Sequence, residues 1–130
     1  MRDRLRTVPT GIGSLLLAAI LAACGAASPP SAPADSTDAD LTITSSDMAF
    51  DLATIAVAAD RPFSLRLVNQ DAAPHNVAIF VDSSAAESRF IGELVTSSTV
   101  VYEVPALPAG TYFFRCDLHP EMNGTLAVEG

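Results

Sequence analysis

The sequence predicts an all-β fold, an antiparallel Greek-key β-sandwich of about seven to eight strands, on three observations. From Leu41 onward apolar and polar residues alternate with a period of two, the period of a half-buried strand. Pro, Gly, Asp and Asn interrupt the alternation at strand-length intervals. Helical periodicity never competes for long, and the span 41–130 is long enough for two sheets around one core.

The elements follow in order. Leu41 and Ile43 open the first strand, and Met48, Phe50 and Leu52 continue the alternation. Ile55 to Ala58 is a further apolar stretch, and Phe63, Leu65 and Leu67 alternate with Ser64, Arg66 and Val68. Asn76 to Val81 is a β-branched and aromatic run; Thr99 to Val104 and Gly110 to Arg115 are two more, parted by the turn signals Pro105, Pro108 and Gly110. Gly124 to Val128 closes the chain. Ser83 to Phe90 is the one helix-tolerant patch, expected as a loop or a short turn of helix. By period two Tyr112, Phe114 and Cys116 share an inward face, leaving Phe113 and Arg115 on the other. Phe63, Phe80, Phe113 and Phe114 are read as structural aromatics.

The N-terminal part has a different character. Arg2, Arg4 and Arg6 precede an apolar run from Ile12 to Ala23, the pattern of a secretory signal over residues 1–23 and too short for a comfortable membrane span. Arg2 and Arg4 are not adjacent, which argues against a twin-Arg signal. Leu21, Ala22, Ala23, Cys24 and Gly25 resemble a bacterial lipobox, so Cys24 is expected to carry lipid. Residues 24–40 then form the lipid-anchor Cys and a tether of Ala, Ser, Pro, Asp and Gly, and residues 41–130 the folded domain. The expected location is extracytoplasmic, in the periplasm or at the outer face of the cell membrane, with lipid as the membrane attachment.

Cysteine usage and charge narrow the function. With Cys24 lipidated, Cys116 is the single free thiol, and an odd thiol in an exported chain asks for another explanation such as a metal. The chain has no Lys; beyond the signal, four Arg face fourteen acids, a net charge of −10. Such a surface repels nucleic acid, keeps an exported protein soluble and favours encounter with basic protein patches.

Cys116, His119 and Met122 lie within seven residues, and His75 lies far upstream beside Asn76. Two His, one Cys and one Met make up the ligand set of a blue-copper centre, a trigonal arrangement with a weak axial thioether. On the strand reading, Cys116 ends one strand, Met122 precedes the next, and His119 lies between them. His75 precedes an interior strand that a Greek key can place alongside. With four protein donors no position stays open for a substrate, so an enzyme is not expected. Two His leave none for additional copper sites, and a binuclear site would need a second Cys in the loop.

From about Leu41 to Gly130 the chain resembles the cupredoxins, blue-copper domains of the plastocyanin and amicyanin kind. The residues that carry the likeness are Pro74, His75, Asn76 and Val77, and Gly110 through Cys116 leading into an amicyanin-like CxxHxxM loop. The resemblance implies one type 1 copper ion held by His75, Cys116, His119 and Met122. Pro74 and Asn76 support the first His, with Asn76 tying the two ligand loops together. It also implies an apolar patch of Pro74, Pro108, Leu118 and Pro120 around His119. Arg115 stands where plastocyanins commonly carry an exposed aromatic, and Asp117 and Glu121 place charge that lowers the potential. The function implied is a membrane-tethered, monomeric electron shuttle working between redox proteins such as a cytochrome, oxidase or reductase. The alternative is extracytoplasmic copper capture, storage or delivery, against which the low Met and His content argues; a scaffold used only as a structural module ranks third.

Overall fold

A computed structural model describes residues 38–130, among which there is no helix. Nine strands are present: β1 (Leu41–Ser46), β2 (Ala49–Phe50), β3 (Thr54–Ala58), β4 (Phe63–Asn69), β5 (Ala78–Phe80), β6 (Ser88–Ile91), β7 (Thr99–Val104), β8 (Gly110–Arg115) and β9 (Asn123–Glu129). They form a four-stranded sheet in the order β2-β1-β4-β7 and a five-stranded sheet in the order β3-β9-β8-β5-β6. Signal peptide, lipobox with Cys24, and most of the tether lie outside the described residues.

The period-two reading survives best where a strand has partners on both sides. β4 alternates buried Phe63, Leu65, Leu67 and Asn69 with half-covered residues, and it pairs with β1 and with β7. Ile43, Leu65, Leu67, Tyr102 and Val104 from one sheet meet Ile55, Ile79, Phe114, Leu126 and Val128 from the other in one core. Each fully buried aliphatic or aromatic side chain of that set contributes about 1.5–3 kcal/mol of burial.

Three expectations change. The sandwich is mixed, because β1 pairs β4 in parallel and β3 pairs β9 in parallel. After β2 the chain leaves its first sheet to supply β3 to the other, then returns beside β1 in the same direction. Side-chain alternation carries no information about that direction. Met48 and Leu52 are exposed: Met48 sits in a two-residue turn between Ser46 and Ala49, with Asp47 and Met48 both at positive φ (53° and 60°), and Leu52 lies beyond the end of β2. Positive φ at both central residues matches the right-handed twist of a hairpin. Finally, the end of the Ser83–Phe90 patch is strand: β6 pairs with β5 through Ile79↔Phe90, and Phe90 packs on Tyr102 with ring centroids 5.6 Å apart.

The fold brings one end of the larger sheet to a focus. β5 lies between β8 and β6, and its register sets Ala78 opposite Arg115. The chain entering β5 therefore meets the chain leaving β8.

Candidate metal centre

Four segments meet at this end of the sandwich. The 116–122 loop connects β8 to β9 and is closed on itself: Cys116 N–H donates to the Met122 carbonyl, and Met122 N–H to the His119 carbonyl, both at 2.9 Å. The segment before β5 lies alongside residues 92–95. His75 N–H donates to Val95 O at 3.0 Å, Val95 N–H to His75 O at 2.9 Å, and Gly92 N–H to Val77 O at 3.0 Å. The Asp47–Met48 turn completes the set through Asp71.

His75 and Cys116 are wholly buried, Met122 is 1% exposed, and His119 is half-buried. The Nδ1 atoms of His75 and His119 approach to 3.1 Å, and each stands 3.7 Å from Cys116 Sγ. A point equidistant from three atoms so spaced is about 2.0 Å from each, the length of an imidazole bond to a first-row ion. Two imidazole nitrogens and a thiolate in a plane, with buried Met122 carried by the same closed loop, suit one type 1 copper ion. The structure thus brings His75, Cys116 and His119 together as a donor triangle.

Asn76 ties the two ligand segments. Its Oδ1 accepts the Asp117 N–H at 2.9 Å, and its Nδ2 donates to Gly92 O at 2.8 Å and to Asp117 Oδ2 at 3.1 Å. Pro74 is exposed beside His75, and Leu118 and Pro120 are exposed beside His119. Pro108 corrects the expected patch. It precedes β8, whereas Cys116 follows it, and six residues of strand separate the two by roughly 20 Å. Leu94, next to the Val95 that pairs with His75, and Met48, whose N–H bonds Asp71, are exposed as well. Tyr112 and Phe114 do share the inward face with Cys116, while Arg115 lies on the other, its guanidinium 5.0 Å from the Phe80 ring centroid.

Sequence reasoning missed the polar support of His75. Buried Asn69 satisfies all of its side chain: Oδ1 accepts from Ser45 Oγ and from Asp71 N–H, and Nδ2 donates to the carbonyls of Ala73 and Val95. Asp71 Oδ2 lies 2.8 Å from His75 Nε2. Burial pushes the Asp71 carboxyl up, yet the bonds from His75 and from the Met48 and Asp47 amides outweigh it and hold the group below the usual carboxylate range. The signal available was an Asn-x-Asp pair four residues ahead of a His, a spacing that supports an Asx turn.

Residues 14–128 match the family described as the Cupredoxin-like domain. The chain belongs to the cupredoxin family. This cupredoxin is 29% identical over 131 aligned positions to amicyanin of Paracoccus denitrificans, covering 92% of the chain and 97% of the relative. A shorter alignment with amicyanin of Paracoccus versutus gives 39% identity over 62 residues, covering 48% of the chain and 46% of that relative. Among solved structures, dithionite-reduced auracyanin from Roseiflexus castenholzii shares the fold, with a TM-score of 0.62 at 18% identity over 69% of this chain and 96% of that one. A reduced Cu(I) form of an amicyanin variant gives 0.55 at 26% identity, covering 71% of this chain and 84% of that one.

Proposed function

We propose that this cupredoxin is a blue-copper electron carrier, in which His75, Cys116, His119 and Met122 hold a single copper ion. The observation that carries the reading is the donor triangle, two Nδ1 atoms 3.1 Å apart and each 3.7 Å from one thiol sulfur. Bound there, copper supplies one-electron exchange between Cu(I) and Cu(II). The chain's part is to fix the donors and keep water out. Buried His75 and Cys116 are anchored to backbone on both sides of the β5–β8 pair, and the Asn76 bonds stop the two loops from sliding apart. A donor set held in place moves little between oxidation states, which favours fast transfer. His119 alone among the donors reaches toward the surface, so its ring edge is the exit for the electron. Leu118 and Pro120, exposed on either side of His119 in the chain, with Pro74 exposed next to His75, offer an apolar surface suited to brief contact with a redox protein such as a cytochrome, oxidase or reductase. Burial of three of the four donors argues against rapid copper exchange, and so against capture or delivery as the main role.

Attachment through Cys24 at the outer face of a bacterial membrane is part of the proposal, supported by the signal and lipobox pattern. Loss of membrane association in Cys24→Ser tests it; retention of the protein in the membrane fraction refutes it.

The test of the centre is optical. One equivalent of Cu(II) is expected to give the protein an intense visible thiolate-to-copper band that bleaches with ascorbate and returns on reoxidation. Cys116→Ser is expected to abolish the band and leave the fold of the metal-free protein in place; a variant equally blue sinks the assignment.

A further inference from the structure

We infer that Asp71 is a positioning residue for the metal centre: its carboxylate fixes the tautomer and ring orientation of His75 and biases the site toward Cu(II). The inference rests on the copper reading proposed above and adds a residue to it. Three N–H groups converge on this one carboxylate. Asp47 N–H reaches Oδ1 at 2.8 Å, Met48 N–H reaches Oδ2 at 3.2 Å, and His75 Nε2 reaches Oδ2 at 2.8 Å. Three donors on two oxygens call for an ionised, acceptor-only carboxylate, so Nε2 is the nitrogen that carries the proton. The Nδ1 lone pair is thereby left free on the side where Cys116 Sγ and His119 Nδ1 stand.

The carboxylate is itself immobilised. Asp71 N–H donates to Asn69 Oδ1 at 2.8 Å, and its carbonyl accepts from Ser97 N–H at 3.1 Å and from Ser97 Oγ at 3.0 Å. Its side chain is 16% exposed, against 0% for His75. A half-turn of the imidazole about its Cβ–Cγ bond would break the Asp71 contact and aim a carbon at the donor triangle, so the bond also selects the orientation. A negative acceptor behind a ligating imidazole raises the basicity of the ring, which strengthens its bond to the more highly charged ion.

The same two oxygens hold the left-handed Asp47–Met48 turn, so a purely structural role is the rival explanation. Asp71→Asn, which keeps the shape and removes the charge, separates the two. Nitrogen-15 spectra of the metal-free protein in mildly alkaline buffer report the His75 tautomer, and redox titration of the copper-loaded protein reports the potential. In Asp71→Asn the Nε2–H form of His75 is expected to lose its dominance. The preference for Cu(II) over Cu(I) is expected to fall about tenfold, a rise in potential of about 59 mV for one electron. Cu(II) affinity is expected to drop about 10–100-fold. A variant with a lowered urea midpoint but an unmoved ring signal, or an unmoved potential, overturns the inference and leaves Asp71 as a turn anchor. If the wild-type protein takes up no copper, the copper reading fails by itself, and the metal-free ring spectra still decide whether Asp71 sets the tautomer.

Discussion

At Gly92 an added Cβ would stand 2.7 Å from the Tyr102 ring and 2.9 Å from the Val77 carbonyl oxygen. Tyr102 is pinned in turn, its hydroxyl donating to Glu93 O at 2.7 Å, and its burial pushes the phenol well above the usual range. Gly92→Ala is therefore expected to destabilise the protein by about 1–3 kcal/mol, measurable by urea unfolding. Because the Gly92 carbonyl accepts the Asn76 amide, the substitution is also expected to shift the visible band. Met122→Gln is expected to keep the band and lower the reduction potential, since an oxygen donor favours Cu(II) over a thioether; an unchanged potential in redox titration removes Met122 from the ligand set. The convergence of Cys116, His119 and His75 was legible because their spacing falls on strand ends, which sequence marks with turn residues. Asp71 was not legible as the partner of His75, nor Asn69 as the residue that holds Asp71. Their bonds depend on how the 69–75 loop folds back on itself, and nothing in an alternating pattern encodes that. Pro108 was misplaced for the opposite reason: residue type suggested a patch, while six residues of strand carry it to the other end.

At the scale of elements, strand bounds were clearest where turn residues such as Pro105, Pro108 and Gly110 bracket a β-branched or aromatic run. Thr99–Val104 and Gly110–Arg115 coincide with β7 and β8. β6 escaped because Ser88–Ile91 is largely exposed, and an edge strand need not look apolar. Sheet order also escaped, since β1 and β4 are joined through the opposite sheet. The start of β1 is fastened to β4 by a reciprocal clasp. Asp40 Oδ2 accepts from Ser64 N–H at 2.8 Å and from Ser64 Oγ at 3.0 Å, while Asp40 N–H donates to Ser64 Oγ at 2.9 Å. The Ser64 bonds hold the Asp40 carboxyl below its ordinary value, and bonds from Ser84 do the same for Asp82. A carboxyl lowered in the folded state adds stability above its unfolded pKa and loses it as pH falls through the folded value. The urea midpoint is therefore expected to decline as pH drops below about 4. Asp40→Asn is expected to flatten that decline, and an identical slope in the variant would remove the clasp from the acid response.

For the whole molecule the governing quantities are charge and topology. Four Arg and no Lys against fourteen acids beyond the expected signal make the surface strongly anionic, while the ligand end is apolar around Leu118. Electron exchange with a basic cytochrome is expected to slow as ionic strength rises, because screening weakens long-range attraction. Leu118→Glu is expected to slow that exchange while leaving the visible band unaltered, as stopped-flow mixing and absorption would show. Topology has a consequence in time. β9 closes the larger sheet by lying between β8 and β3, so residues 123–129 must find residues 54–58 across most of the domain. Pairings that distant in sequence place folding toward the slow end, in milliseconds to seconds. β9 also follows directly on the loop that carries three of the four donors. A chain that stalls before its last strand, or is clipped there, has an open sheet edge and no closed loop to gather the donors. Colour on adding copper is then a signature of finished molecules, and its rate of appearance after dilution from denaturant reports the final step of assembly.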